Sequence, residues 1–246
     1  MSGHSKWASI KHKKAATDIK KGKIFSKLAK EITISAKDGG GELDVNARLR
    51  LAVNKAKSVN MPADNIDRAI KKGTGELPGV SYEEISYEGY GPKGVAFIVE
   101  ALTDNKNRTA AEIRNIFSKR GGNMAGPGSV SWMFTKKGFI MVKDSSADED
   151  KVFTAALDSG AEDIKTESSL YEIITSVSAF EKVKNALEEA SIEIESAEIT
   201  MIPSNSIQIE GDDAKQVLAL IDLLEDYEDV QNVYANFDIP DEFLEG

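Results

Sequence analysis

The chain has 246 residues, and at roughly 100–200 residues per domain two or three small domains are expected. A hydrophobic content of 41% and a charged content of 29% exclude a disordered chain, a collagen and a membrane bundle. Cysteine is absent, so disulfides and Cys-based zinc sites are excluded too. No stretch approaches the roughly 20 apolar residues of a membrane span, and MSGHSKWASIKHKK lacks the apolar core of a secretory signal. A cytoplasmic location is therefore expected. The net charge of −10 conceals a polarised distribution. Residues 1–75 carry 14 Lys and 3 Arg against 7 acids, a net of +10, whereas residues 144–246 carry a net of −22. This describes a basic head on an acidic body.

Within the head, Lys20, Lys23, Lys27 and Lys30 recur at helical spacing and form one stripe, while Phe25, Leu28, Ile32 and Ala36 form a second, apolar one. Gly39-Gly40-Gly41 ends that helix. Leu49, Ala52, Val53 and Ala56 mark a second helix. Pro62 opens a third, which carries Ile66, Ala69 and Ile70 and runs to Gly73. The segment 73–79 reads as a linker. Strand character then appears at 85–87 and 95–99. Thr109-Ala110-Ala111-Glu112 reads as a capping box that opens a helix buried through Ile113, Ile116 and Phe117. Strands are expected at 129–134 and 139–142, and then a helix through Val152, Phe153, Ala156 and Leu157. A strand at 170–175 follows, then a second capping box at Ser178-Ala179-Phe180-Glu181 and a strand over 192–202. The middle block so acquires the β-α-β-β-α-β order of a split βαβ fold. Strand 206–210, a helix through Val217, Leu218, Ile221 and Leu224, and strand 230–237 are too little to bury a core alone. They are expected to complete the β-β-α block before the insertion. The expected class is α+β, a helical N-terminal domain followed by two small α/β, ferredoxin-like domains. The expected boundaries are 1–80, 81–130 with 205–246, and an acidic insertion at 131–204.

Catalytic motifs are weak. Gly89-Tyr90-Gly91-Pro92-Lys93-Gly94 matches G-x-G-x-x-G, but a strand rather than a helix follows it, and Pro92 removes an N–H where phosphate would sit. A strand-to-strand turn is expected there. His4 and His12 are the only histidines and stand eight residues apart in the lysine-rich arm, a poor basis for a metal site or a Ser-His-Asp triad. The acids are abundant, but their proximity in sequence shows no cleft in which two carboxyl pKa values are pushed apart. The expectation is a protein that is not an enzyme and uses no metal or cofactor.

The nucleic-acid reading rests on Lys6, Lys11, Lys13, Lys14, Lys20, Lys21, Lys23, Lys27 and Lys30, with Trp7 and His12 among them. Lysine dominance points to phosphate contact rather than bidentate base reading. Arg108, Arg114, Lys119 and Arg120 suggest a second basic surface, and Arg114 fits equally well on the solvent face of an amphipathic helix.

Several runs resemble the YebC/PmpR family. They are Met1-Ser2-Gly3-His4-Ser5-Lys6-Trp7, Ile10-Lys11-His12-Lys13-Lys14-Ala15-Ala16, Tyr87-Glu88-Gly89-Tyr90-Gly91-Pro92, Leu102-Thr103-Asp104-Asn105 with Asn107-Arg108-Thr109, and Gly121-Gly122-Asn123. The resemblance spans the chain, departing at Ser9 and Ala235. It implies a helical domain and two α/β domains around an acidic cavity, in a cytoplasmic regulator of gene expression. Family members are described as DNA-binding transcriptional regulators, or as ribosome-associated translational activators like the mitochondrial relatives that promote synthesis of a cytochrome oxidase subunit. DNA-binding regulation is the first expectation and binding of ribosomal RNA the alternative. An adaptor that uses its acidic surface is the third. No helix-turn-helix signature or arginine-rich recognition helix is legible.

Overall fold

A computed structural model describes residues 18–167 and 169–239. In chain order the elements are α1 (Asp18–Gly39), α2 (Ala47–Ser58), α3 (Ala63–Thr74), β1 (Glu83–Tyr90), β2 (Ala96–Thr103), α4 (Lys106–Lys119) and β3 (Asn123–Ala125). There follow β4 (Phe134–Lys143), α5 (Glu149–Ser159), β5 (Ala161–Glu167), β6 (Leu170–Thr175), α6 (Phe180–Glu189) and β7 (Ile194–Pro203). The chain closes with β8 (Ile207–Gln208), α7 (Gly211–Asp226), β9 (Val230–Ala235) and β10 (Phe237–Asp238). The class is α+β, a helical N-terminal region followed by two α/β domains. The described residues divide into two compact units, 132–206 in one, 18–131 with 207–239 in the other.

In the second unit, the apolar stripe of α1 buries Leu28, Ile32 and Ala36 against Leu49, Ala52, Val53 and Ala56 of α2 and Ile66 and Ala69 of α3. Asn46 fixes the start of α2. Its side chain accepts from Leu49 N at 3.0 Å and donates to the carbonyls of Ser35 and Gly40, both at 2.8 Å. Gly73 lets α3 touch α1, since a Cβ there would lie 2.3 Å from Thr33 O. The α/β part is an antiparallel sheet in the order β3-β1-β2-β9. Its alternate β2 residues Phe97, Val99 and Ala101 pack under α4 and α7, with Phe97 edge-on to Phe117 at 5.7 Å. β9, more than a hundred residues later in the chain, supplies the edge beside β2.

The unit 132–206 holds an antiparallel sheet in the order β5-β6-β4-β7. With the order β-α-β-β-α-β, this is the ferredoxin-like arrangement. Ile140, Val142 and Ile173 meet Val152, Ala156, Val183 and Leu187 in its core.

Several local expectations are corrected. Residues 129–134 do not form a strand. Glu88 accepts the N–H groups of Gly128, Val130 and Ser131, residues 131–133 make a 3₁₀ turn, and β4 begins at Phe134. α4 is not opened by a box at Thr109. It starts at Lys106, capped by Asn105, whose side chain accepts from Arg108 N at 3.0 Å. Asn is a strong cap, and the Thr109 hydroxyl has a buried carboxylate to serve instead. α6 is entered through Ala179, with no side-chain cap, and Ser176 Oγ takes the N–H of Ala179 at 3.1 Å. The strand expected at 206–210 is only the two-residue β8, parallel to β10.

Candidate functional site

The site is built where α1 meets the C-terminal end of α7. The last turn of α7 contains no basic residue, although its unsatisfied carbonyls carry the negative end of the helix dipole. The cations come from α1. Lys27 Nζ donates to Glu225 O at 2.5 Å, and Lys23 Nζ donates to Asp226 O at 3.3 Å and lies 3.5 Å from the Asp226 carboxylate. Lys30, one turn further along α1, donates to Asp229 Oδ1 at 2.8 Å and to Glu228 O at 3.3 Å. The Lys30 side chain is 9% exposed and that of Asp229 6%.

Asp229 is the centre of a closed polar cluster. Its Oδ2 accepts from Arg108 Nη2 at 2.9 Å, Thr109 Oγ1 at 2.8 Å, Tyr227 OH at 3.2 Å and Thr103 Oγ1 at 3.3 Å. Its backbone carbonyl accepts from Leu102 N at 2.8 Å, which ties the cluster to the end of β2. Burial alone would raise the Asp229 pKa. The hydrogen bonds from Lys30, Arg108 and Thr109 outweigh it and hold the carboxyl well below the usual carboxylate range. Arg108 also holds Asp104 at 2.7 Å, and its hydrogen bonds to Asp229 and Asp104 raise its pKa further. Tyr82 places its ring 5.7 Å from Lys30 Nζ, and burial followed by the charges of Asp104, Glu228 and Asp229 raises its pKa. An open cavity of about 540 Å³ lies over this cluster, with Asp104, Glu112 and Glu228 also on its wall. Both of its cations are committed to acids, so its field disfavours a phosphate.

The expected basic residues are therefore separated. Lys6, Trp7, Lys11, His12, Lys13 and Lys14 lie outside the described residues. Lys20 and Lys21 fall on the first turn of α1, and their side chains also lie outside the description. Lys23, Lys27 and Lys30 do form one row, but it faces α7. Arg108 leaves the second basic surface for the Asp229 cluster. Arg114 and Lys119 on the C-terminal half of α4, and Arg120 just after it, are exposed and make no ion pair among the described residues. Arg68 and Lys72 on α3 and Lys57 on α2 are further exposed cations that lie outside the lysine stripe. Their signal was only the summed charge of the head. Nothing in sequence marks Asp229, which lies 199 residues from Lys30 and 121 from Arg108.

The G-x-G-x-x-G run is the expected turn between β1 and β2. Lys93 and Gly94 both have positive φ, and Gly91 is required because a Cβ would meet Phe97 at 2.6 Å. Among the described residues no group of three or more His, Asp or Glu is placed to hold a metal ion, and no helix is long and apolar enough to cross a membrane.

Two family models, the TACO1/YebC protein N-terminal domain and the TACO1/YebC second and third domain, match residues 5–76 and 82–237. The chain belongs to the TACO1/YebC family. A "Probable transcriptional regulatory protein" of Natranaerobius thermophilus is 56% identical over 248 residues, covering 100% of this chain and 99% of that protein. A protein of Geobacter sulfurreducens with the same description is 58% identical over 245 residues, with coverage of 100% and 99%. The crystal structure of a conserved hypothetical protein from Aquifex aeolicus is 46% identical, has a TM-score of 0.84 and covers 95% of this chain and 97% of its own. In this TACO1/YebC chain, the Tyr87–Pro92 and Leu102–Thr109 runs that carry the resemblance in sequence are the β1–β2 turn and the wall of the Asp229 cluster.

Proposed function

We propose that the chain is a non-enzymatic, nucleic-acid-binding regulator of gene expression, acting in the cytoplasm as a DNA-binding transcriptional regulator. The observation that carries this reading is the charge of the head, +10 over residues 1–75 with lysine dominant, on a chain whose relatives carry the regulator description. The arm residues Lys6, Lys11, Lys13 and Lys14, with Trp7 and His12, together with Lys20, Lys21, Lys23 and Lys27, contact phosphates. Arg114, Lys119 and Arg120 extend the basic surface. The head, 1–80, is a domain in its own right beside the discontinuous α/β domain and the insertion.

Phosphate contact rather than base reading is favoured by α2 and α3. A four-residue connection containing Asn60 at φ 59° joins them, a length suited to a helix-turn-helix. Yet α3 presents exposed Asp64 and Asp67 in its first turns, where a recognition helix would meet base edges. The second reading is binding to ribosomal RNA. It is favoured by the net −22 of residues 144–246, which repels a straight duplex more than a cleft that admits the head alone.

The test replaces Lys13, Lys20, Lys23 and Lys27 with Glu. Loss of four phosphate contacts lowers the log–log salt slope by about 3–4, at roughly 0.7–0.9 per phosphate. Unchanged affinity and slope would reject nucleic-acid binding by this row. Crosslinking in cells followed by sequencing then separates the two targets, promoter DNA for the first reading and ribosomal RNA for the second.

A further inference from the structure

Lys23, Lys27 and Lys30 meet oxygen ligands at successive turns of α1, as they would meet successive phosphates. The ligands are the carbonyls of Asp226, Glu225 and Glu228 and the carboxylates of Asp226 and Asp229. Exposure is graded along the row. At the outer end, the side chains of Lys23 and Asp226 are 46% and 62% exposed, whereas Lys30 and Asp229 at the inner end are nearly buried. Exposed ion pairs contribute little and are screened by salt, so another anion can replace the outer ones. The Lys30–Asp229 pair is sheltered and has further donors around it, so it holds.

We propose that the C-terminal end of α7, with Asp226, is an autoinhibitory substitute for phosphate. It occupies Lys23 and Lys27 until a nucleic acid displaces it, while Lys30–Asp229 stays closed as the pivot. The proposal rests on the preceding reading that the lysine row binds phosphate, and it adds the regulation of that row. Bound nucleic acid exchanges the α7 carbonyls and the Asp226 carboxylate for phosphate oxygens on the same ammonium groups. No bond is made or broken.

The test uses the full chain and a short random-sequence DNA duplex. Asp226→Asn removes the exposed carboxylate that lies 3.5 Å from Lys23. Asp212→Asn makes the same charge change at an exposed position elsewhere, in the first turn of α7. The first variant is expected to bind severalfold more tightly than the second. Its salt slope should equal that of the second, because the same lysines reach phosphate in both complexes and only the cost of displacing the α7 end differs. Adding Lys23→Gln and Lys27→Gln should abolish that advantage. Equal affinity in the two acid-depleted variants, or an advantage that survives the lysine changes, overturns the proposal. Failure of the underlying reading looks different. The Lys13, Lys20, Lys23 and Lys27 to Glu variant would then bind the duplex as the unaltered chain does.

Discussion

Replacing Asp229 with Asn keeps the shape of the side chain and removes its charge. Lys30 then keeps its ammonium in a site where its side chain is 9% exposed, with a neutral amide where the carboxylate stood at 2.8 Å. Removing one partner of a buried ion pair costs about 3–5 kcal/mol, and only the exposed Glu228 carboxylate at 3.9 Å is left beside Lys30. The amide also presents N–H groups to donors, so some of the bonds from Thr103, Thr109 and Tyr227 are lost. A loss of about 3–4 kcal/mol is expected for Asp229→Asn, read as a lower urea midpoint by far-UV circular dichroism. Lys30→Met removes the stranded charge, so the double variant should lose less than the sum of the single ones, with a coupling of about 1–3 kcal/mol. The pH dependence follows in sign. The folded pKa of Asp229 is depressed, so its contribution is complete above the unfolded value of about 3.9 and falls away as pH drops toward the folded value. Acid unfolding of the Asn variant should therefore be less steep below about pH 4. A cost below about 1 kcal/mol, or strict additivity with Lys30→Met, would refute the account of a buried, charge-dependent cluster.

Glu88→Gln leaves the N–H groups of Gly128, Val130 and Ser131 with a weaker acceptor, at a cost of about 1.5–3 kcal/mol in denaturant unfolding. Burial raises the Glu88 pKa, but those three backbone bonds outweigh it and lower it overall. Loss of amide-exchange protection at 128–131 should thus begin as pH falls below the ordinary glutamate value of about 4.3. Asn46→Ala removes the α2 cap and its two bonds to the end of α1, and a loss of about 2 kcal/mol is expected from urea titration. Gly73→Ala drives a methyl group against Thr33 O, and overpacking of about 1–3 kcal/mol should appear as a lower thermal midpoint.

Periodicity made the head legible. Phe25, Leu28, Ile32 and Ala36 recur at the spacing of one helix face, and all four lie in or against the core beneath α2 and α3. Strands β4 and β6 of the ferredoxin-like unit were legible for the same reason, since Ile140, Val142 and Ile173 stand in short β-branched runs, whereas β5 at Ala161–Glu167 was not expected. The starts of α4 and α6 were not. A capping box is a four-residue pattern, and at Thr109 the competing acceptor, Asp229, is 120 residues away. The strand expected at 129–134 failed in the same way, because Glu88, 40 residues or more upstream, takes its donors. The lysine stripe was legible as a stripe and opaque as to what it faces. Helical spacing gives direction around an axis, but it does not tell whether solvent, phosphate or the end of another helix lies in that direction.

The position of β9 and of residues 225–229 near the end of the chain sets an order on synthesis. β2 has no neighbour on its β9 side until residue 235 has been made, and Lys23, Lys27 and Lys30 have no α7 terminus to meet until residue 229 has. The strands and helices of residues 132–206 require nothing later than Pro203 for their own sheet. A growing chain emerging at about 5–20 residues per second therefore completes residues 132–206 first, while its earliest segment waits with its row of ammonium groups open. Closure over so long a separation is entropically only modestly harder than over a short loop, but it is late. A chain truncated before residue 225 retains the basic row and lacks the segment that covers it.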